Sequence, residues 1–466
     1  MKRLRQTIRK VVLMIVGLLL LLIVFGAVSV TTQGNRWFSS AANTYLRDRK
    51  TAAIPGSILD RRGVVLASTD DEGRRTYHPD EKVRKACVHV VGDRENNVGF
   101  GAESFMANYL YGFNTPYIRQ VVAMLRGEKL LGNHVMLSID GEVSAKIANV
   151  FPQGKKGAVV VMNYQTGEII ALLSFPNFDP DNITYTIKND PARPFWNNAT
   201  RWLSAPGSTF KVVTLASTLR NMKGCQERLF KCTGVIDFKS NQMRDANQVV
   251  HGVITLRDAF KESCNVTFGN LALELGDRKL KRTAKAFGIG DHFLFSDLVV
   301  ENSSYPKNAR TNKQLAWTGV GQDALALTPM HMCMIASAVA NDGVMMEPKL
   351  LLKAVDENGK VRADLEPHTV KKPLSKEEAD IISDFMREAI LSGTGMKANV
   401  PGQRICGKTG SAQVDGQAET NAWFIGFIDE ESIPYAICVA VMDVGGGGLV
   451  AAPVAGEIFK ILFDFQ

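Results

Sequence analysis

The sequence predicts an α+β protein with an N-terminal transmembrane helix, a small second domain, and a larger domain built on a five-stranded antiparallel sheet flanked by helices. Three observations predict this fold class. An apolar run without charges lies near the N-terminus, two β-rich runs open the larger domain, and three more strand-like runs follow a mostly helical middle. Strands separated by helical stretches are typical of a sheet that helices cover. A length of 466 residues allows two or three domains.

The first predicted element is a membrane anchor over residues 11–30, preceded by a basic tail over residues 1–10. About 20 apolar residues at 1.5 Å rise match a hydrocarbon core of about 30 Å. The basic flank predicts a cytoplasmic N-terminus, a single pass through the cell membrane and an extracytoplasmic remainder. A cleaved secretory signal is the alternative, disfavoured because its apolar region usually spans about 7 to 15 residues.

Charge and cysteine content exclude several function classes. The formal net charge is +8, and part of it belongs to the N-terminal tail. No basic run with interleaved aromatic residues follows, so no nucleic-acid partner is predicted. Seven cysteines occur without a Cys-x-x-Cys pair, so neither a metal site nor a cofactor is predicted. Cys225 and Cys232 lie in a polar loop, and whether they form a disulfide stays open.

Residues 31–153 are predicted to form a small non-catalytic domain. Apolar and polar residues alternate over residues 54–67 around Arg62-Gly63, which predicts a hairpin. A helix is predicted over residues 116–126. We expect Asp60 and Arg61 to hold structure rather than to act in catalysis.

The larger domain is predicted over residues 154–466. Two strands, 158–162 and 168–173, are separated by a hairpin signal. Helical periodicity and start signals then predict several helices, and β-rich runs predict three late strands. The predicted helices are 254–262, 265–276, 278–287, 327–341 and 453–465, and the late strands are 405–414, 421–428 and 433–443.

A serine and a lysine lie three residues apart at the start of an apolar helical run. Residues at this spacing share a helix face, so Ser208 Oγ and Lys211 Nζ are expected to meet. Pro206 and Gly207 supply the turn before the helix. Apolar neighbours should lower the pKa of Lys211, which lets its neutral amine take the serine proton. Alone, however, a Ser-x-x-Lys string is so common that it more often marks an ordinary buried helix start with a capping serine.

Two further motifs remove that ambiguity. Ser263-Cys264-Asn265 follows a helical run, and Lys408-Thr409-Gly410-Ser411 lies in a strand-like run. Ser-x-x-Lys, Ser-x-Asn and Lys-Thr-Gly in this order are the signature set of penicillin-binding proteins and serine β-lactamases. The larger domain also contains the segments 157–162, 166–169, 321–322, 327–329, 422–427 and 451–453, which match the same family.

From about residue 54 onward the chain resembles a class B high-molecular-weight penicillin-binding protein, a single-pass membrane transpeptidase that cross-links peptidoglycan. The resemblance implies that residues 31–153 form a pedestal and that 154–466 form a penicillin-binding transpeptidase domain with a serine β-lactamase-like fold. Pro55 departs from the family pattern, in which arginine usually occupies this position. No second catalytic motif is found in the pedestal, so the resemblance implies that a separate membrane partner polymerises the glycan strands.

The resemblance also implies catalytic roles. Ser208 attacks the carbonyl between two terminal D-alanines of a stem peptide, and Lys211 accepts its proton. Ser263 passes a proton to the leaving amine, and Asn265 holds the peptide amide and Lys211. Lys408 favours the neutral form of Lys211 and attracts the substrate carboxylate.

Substrate binding is assigned by the same resemblance. The hydroxyl groups of Thr409 and Ser411 bind the carboxylate, and Gly410 lets the substrate backbone lie against the strand. The backbone N–H groups of Ser208 and Ser411 form the oxyanion hole. β-Lactams, which mimic the dipeptide, are expected to acylate Ser208.

Four functions share parts of this pattern. A D,D-transpeptidase is predicted first, and a D,D-carboxypeptidase uses the same residues with water as acceptor. A β-lactamase is disfavoured because no glutamate motif for deacylation is evident. A membrane-anchored β-lactam sensor or a wall-assembly scaffold is also disfavoured, because one span is predicted and no motif residue is missing. Elongation, division and spore-wall synthesis all remain open.

Overall fold

The computed structural model describes residues 2–38, 53–113, 122, 125–239, 242–307, 311–414, 416 and 418–465. Its N-terminal helix spans Lys2–Phe38. Within that helix, Gln6–Ser29 is long and apolar enough to cross a membrane, and none of its most apolar window is buried against protein. The predicted apolar anchor is therefore present as an unpacked helix.

The predicted five-stranded antiparallel sheet is confirmed. Its strands are buried along nearly their whole length, because helices such as Pro329–Ala340 and Ala451–Phe463 pack on the sheet. The late strand Tyr435–Val441 pairs with the early strand Gly157–Asn163 inside the sheet. In spatial order the strands are Ile405–Ala412, Asn421–Ile428, Tyr435–Val441, Gly157–Asn163 and Ile169–Phe175.

Several predicted elements are shorter than expected, among them one helix and one strand of the larger domain. The run 254–262 begins as a strand, Gly252–Thr255, and becomes a helix only at Leu256–Lys261. The Thr255 side chain accepts a hydrogen bond from the Asp258 N–H and so caps that helix. The late strand predicted to reach residue 414 ends at Ala412, where its pairing with Asn421 ends.

A second sheet joins the small domain to a later part of the chain. Its outermost hairpin comes from residues beyond 350, so this sheet crosses the predicted domain boundary at residue 153. Such long-range pairing leaves no local signal in the sequence. In spatial order its strands are Val361–Asp364, Leu351–Val355, His134–Leu137, Ile58–Leu59, Val65–Thr69 and Arg75–Tyr77.

Asp60 and Arg61 have structural contacts, as expected. The buried Asp60 carboxylate accepts hydrogen bonds from the N–H groups of Arg62 and Val64, each at 2.9 Å. Arg61 donates to Glu168 at 3.3 Å, just before the last strand of the five-stranded sheet. This contact ties the first hairpin to the larger domain.

The remaining described elements surround these sheets. The predicted helix over 116–126 lies largely outside the described residues. The further helices are Glu81–Val91, Ala102–Phe105, Ala107–Leu110, Gly141–Val150, Tyr185–Lys188, Asn198–Arg201, Lys211–Asn221, Asn265–Leu275, Asp277–Ala286, Asn312–Gly319 and Lys376–Ser392. The further strands are Ala53–Ile54, Leu130–Leu131, Leu229–Cys232, Val235–Asp237, Gln242–Arg244, Met345–Met346 and Thr369–Lys371.

All seven cysteines lie in the described part of the chain, and all are buried free thiols. Cys225 and Cys232 therefore form no disulfide in this structure, a pairing that the sequence left open.

Candidate active site

The Ser208 turn is a short 3-10 helix, Gly207–Phe210, that continues into the helix Lys211–Asn221. Thr209 Oγ1 closes the turn by donating to the carbonyl of Pro206 at 2.7 Å. Gly207 has φ +56°, and a Cβ there would lie 2.5 Å from the Ser411 carbonyl oxygen. Only glycine fits both conditions, so the turn is pressed directly against the strand that carries Ser411.

Lys211 is completely buried and is held by three acceptors. Its Nζ donates to the Ser263 carbonyl at 2.5 Å, to Ser263 Oγ at 3.2 Å and to Asn265 Oδ1 at 2.9 Å. Burial lowers the pKa of Lys211 to about 7, as the apolar neighbours predicted. Among the hydrogen bonds of the described residues, none joins Ser208 Oγ to Lys211 Nζ, although the spacing predicts that contact.

A second buried amine lies on the other side of Ser263. Lys408 Nζ donates to Ser263 Oγ at 3.0 Å and to the Thr409 carbonyl at 3.1 Å. Burial holds the pKa of Lys408 well below its usual range, and the charge of Lys211 lowers it further. Lys408 is fully buried and hydrogen-bonded to Ser263. Any electrostatic attraction between Lys408 and a substrate carboxylate must therefore act without direct contact.

The segment from Ser263 to Asn265 is fixed by an acid that sequence reasoning missed. Ser263 has φ +59°, a conformation uncommon for a residue with a side chain. The Asp245 carboxylate accepts a hydrogen bond from the N–H of Asn265, and Asn265 Nδ2 donates to the Arg244 carbonyl at 3.1 Å. Asp245 lies in a loop 20 residues before Asn265, and no local pattern points to it.

The motifs line one cavity of about 890 Å³. Thr409 Oγ1 lies 2.7 Å from Thr394 Oγ1, and Ser411 Oγ accepts a hydrogen bond from the Gly447 N–H at 3.0 Å. Lys211 and Lys408 lie behind this surface. Six of the predicted residues line the cavity, namely Ser208, Ser263, Asn265, Thr409, Gly410 and Ser411.

Two glycines allow close packing around the strand that carries Ser411. A Cβ at Gly410 would lie 2.7 Å from the Pro206 carbonyl oxygen, so the absence of a side chain there lets the Ser208 turn pack against this strand. A Cβ at Gly447 would lie 2.2 Å from the Gly410 carbonyl oxygen. The glycine run 445–448 is therefore packed against the active-site strand at Gly447.

A second groove of about 1020 Å³ adjoins the first and shares Trp317 and Gln322 with it. Gln322 Nε2 donates to the Ser411 carbonyl at 3.3 Å. Trp202 also lines this groove and stacks on Trp423 with 5.2 Å between ring centroids. Trp423 is fully buried, so it contributes to packing rather than to the cavity surface. Gln322 was noted in the sequence only as part of the family resemblance.

These contacts describe a site suited to acyl transfer. A partly exposed serine hydroxyl lies one helical turn from a buried amine whose pKa is about 7. Ser263 Oγ connects that amine with a second one. A nucleophile, a base near neutral pKa and a hydroxyl relay are the groups that covalent catalysis at a carbonyl requires.

The comparisons with known proteins agree with this chemistry. The family described as penicillin binding protein transpeptidase domain matches residues 157–460. Peptidoglycan D,D-transpeptidase PbpA of Mycolicibacterium smegmatis is 28% identical over 364 residues, covering 72% of this chain and 74% of that protein. Stage V sporulation protein D of Bacillus subtilis is 31% identical over 340 residues, covering 70% of this chain and 51% of that protein. Penicillin-binding protein A from M. tuberculosis, solved as a ceftriaxone acyl-enzyme complex, has a TM-score of 0.79 at 25% identity and covers 90% of this chain and 99% of that one.

Proposed function

Since this chain belongs to the class B penicillin-binding protein transpeptidases, we propose that it cross-links peptidoglycan stem peptides through an acyl-enzyme on Ser208. One observation carries the proposal. Ser263 Oγ lies 3.2 Å from Lys211 Nζ and 3.0 Å from Lys408 Nζ, beneath the cavity that Ser208 lines. The three motifs therefore belong to one hydrogen-bonded unit.

In the first step, Ser208 Oγ attacks the carbonyl carbon between the two terminal D-alanines of a stem peptide. Because the pKa of Lys211 is about 7, a fraction of this side chain is neutral at neutral pH. The neutral amine accepts the serine proton. The N–H groups of Ser208 and Ser411 stabilise the oxyanion, an effect worth about 3 to 4 kcal/mol per donor in related chemistry. The close packing of Gly207 on Ser411 brings these two backbone segments together.

Collapse of the tetrahedral intermediate breaks the peptide C–N bond and releases D-alanine. The leaving amine needs a proton, and Ser263 Oγ supplies it while receiving one from Lys211 or Lys408. An amine of a second stem peptide then attacks the ester, loses a proton along the same route, and frees Ser208. The net result is one new peptide cross-link for each D-alanine released.

Recognition of the substrate uses the walls of the cavity. The hydroxyl groups of Thr409 and Ser411 bind the terminal carboxylate, since both line the cavity. Asn265 keeps Lys211 in place with its oxygen and contributes polar contacts to the peptide amide. β-Lactams enter in the same orientation and leave an ester on Ser208 that is hydrolysed slowly.

The cellular setting follows from the anchor. The basic residues before Gln6–Ser29 support a cytoplasmic N-terminus, with the catalytic domain outside the membrane. Residues 31–153 act as a pedestal and 154–466 as the transpeptidase domain. A separate membrane protein polymerises the glycan strands, because the pedestal carries no second catalytic motif.

The test is a fluorescent penicillin incubated with the full-length chain in detergent. Wild type should give a long-lived covalent adduct, Ser208→Ala should give none, and Ser432→Ala, which changes an exposed serine, should match wild type. A synthetic donor peptide ending in D-Ala-D-Ala, offered with an acceptor amine, should then yield the cross-linked product. Release of D-alanine with water as the sole acceptor would make the chain a carboxypeptidase. Absence of any adduct on folded wild type would overturn Ser208 as the nucleophile.

A further inference from the structure

Four side chains that can bind a metal meet beside the active site, and the transpeptidase mechanism uses none of them. We call the set of Cys232, Asp245, His251 and Cys264 the thiol cluster. Their four ligand atoms, two Sγ, one carboxylate oxygen and one ring nitrogen, lie within 4.8 Å of one another. The absence of a Cys-x-x-Cys pair predicted no metal site, but these four ligands come from separate segments of the chain.

The distances within the thiol cluster suit a tetrahedral ion. Asp245 Oδ2 lies 3.0 Å from Cys232 Sγ, 3.3 Å from Cys264 Sγ and 3.4 Å from His251 Nδ1. Cys232 Sγ lies 3.4 Å from His251 Nδ1. Zinc bonds of about 2.0 to 2.3 Å imply tetrahedral edges of about 3.3 to 3.8 Å. A small contraction or expansion of the cluster would therefore accommodate the ion.

Backbone N–H groups contact both sulfur atoms of the cluster. The Gly234 N–H donates to Cys232 Sγ at 3.4 Å, and the Thr267 N–H donates to Cys264 Sγ at 3.2 Å. Such contacts around the first ligands orient them and tune the metal. Without an ion, three potential donors converge on the single oxygen Asp245 Oδ2. With an ion, that oxygen becomes one ligand among four.

The ligand chemistry selects the metal class. Thiolate, imidazole and carboxylate together suit zinc better than calcium or magnesium, which prefer oxygen ligands alone. Four protein ligands would leave no open position for a substrate, which is the pattern of a structural site. Cys232, Asp245 and Cys264 are buried, and the His251 side chain is 14% exposed, so the ion would be shielded but reachable.

The cluster is linked directly to the active site. Cys264 lies between Ser263 and Asn265, and the second oxygen of Asp245 accepts the Asn265 N–H. We propose that the thiol cluster binds one zinc ion, which fixes the segment Ser263–Asn265 and thereby positions the partners of Lys211. The four ligands act here as positioning residues.

Metal binding is tested on the full-length chain purified in detergent without added chelator. Metal analysis should find about one zinc ion per chain, retained through dialysis. Replacement by cobalt should give the visible bands of a tetrahedral site and thiolate charge-transfer bands in the near ultraviolet. Cys232→Ser and His251→Ala should lose the metal and these bands. Cys225→Ser, which removes a buried thiol outside the cluster, should retain both.

Activity provides the second readout. Removing the metal from wild type should slow acylation by fluorescent penicillin at least tenfold, and zinc should restore the rate. Metal bound at the same level in wild type and in His251→Ala would overturn the proposed ligands. Wild type that takes up neither zinc nor cobalt, or that holds a Cys232–Cys264 disulfide instead, would overturn the site. Because metal content is measured without substrate, this result is independent of the proposed transpeptidase activity.

Discussion

Lys211 Nζ lies 2.9 Å from Asn265 Oδ1 and donates a hydrogen bond to it. Together with the two oxygens of Ser263, this gives the ammonium form of Lys211 three acceptors for its three protons. The site therefore has an acceptor for every proton of the charged amine. Loss of one proton would free a lone pair that can accept the proton of the Ser208 hydroxyl.

The first prediction concerns pH. Burial lowers the pKa of Lys211 to about 7, and only the neutral amine can accept the Ser208 proton. The rate constant for acylation by penicillin should therefore fall about tenfold per pH unit well below 7 and level off above it. Stopped-flow measurements on the full-length chain between pH 5 and 9 check this. A flat profile across that range would contradict Lys211 as the base.

The second prediction separates charge from hydrogen bonding at Asn265. Asn265→Asp places a carboxylate where the amide oxygen now accepts from Lys211, and an opposite charge at this distance raises the pKa of the amine. The acylation profile should move to higher pH by about one unit or more. Asn265→Ala removes the same acceptor without adding charge, so it should slow acylation without that alkaline displacement. Equal displacement in both variants would argue against an electrostatic cause.

The sequence could predict those parts of the site whose contacting residues lie close together in the chain. The placement of Ser208 and Lys211 one turn apart follows from helical spacing, and the Lys408 strand follows from β-rich composition. By contrast, Asp245 and the thiol cluster depend on a loop path that no periodicity encodes. The later hairpin in the six-stranded sheet was missed for the same reason, since pairing across more than 200 residues has no local signal.

The third prediction concerns Gly410. A Cβ there would lie 2.7 Å from the Pro206 carbonyl oxygen, so Gly410→Ala must displace the Ser208 turn. We expect destabilisation of about 1 to 3 kcal/mol and acylation slowed at least a hundredfold. Thermal unfolding and penicillin labelling measure the two effects.

Gly446→Ala is the matched control for Gly410→Ala. A Cβ at Gly446 would meet Ser411 Oγ at 3.5 Å, which is an ordinary contact with a residue of the same strand as Gly410. This variant should keep its stability and most of its labelling rate. If Gly410→Ala also labelled at the wild-type rate, the contact with Pro206 would not hold the turn in place.

The fourth prediction tests whether Asp60 stabilises the first hairpin rather than taking part in catalysis. Its buried carboxylate accepts from the N–H groups of Arg62, Val64 and Gly141, and Asp60→Ala leaves these donors without that acceptor. The loss should be on the order of 3 kcal/mol of unfolding free energy, seen as a lower thermal midpoint. The labelling rate of the folded fraction should stay unchanged because the hairpin has no contact with Ser208 among the described residues.

Asp70 offers the comparison that makes the Asp60 result specific. It accepts from the N–H groups of Glu72 and Arg74 in a similar turn, at 3.0 and 2.8 Å, but these hydrogen bonds are exposed to solvent. Water can replace an exposed acceptor, so Asp70→Ala should lower the thermal midpoint clearly less than Asp60→Ala. Equal losses in the two variants would show that burial at Asp60 contributes nothing. A labelling defect in folded Asp60→Ala would instead connect this hairpin to the active site, against the purely structural role.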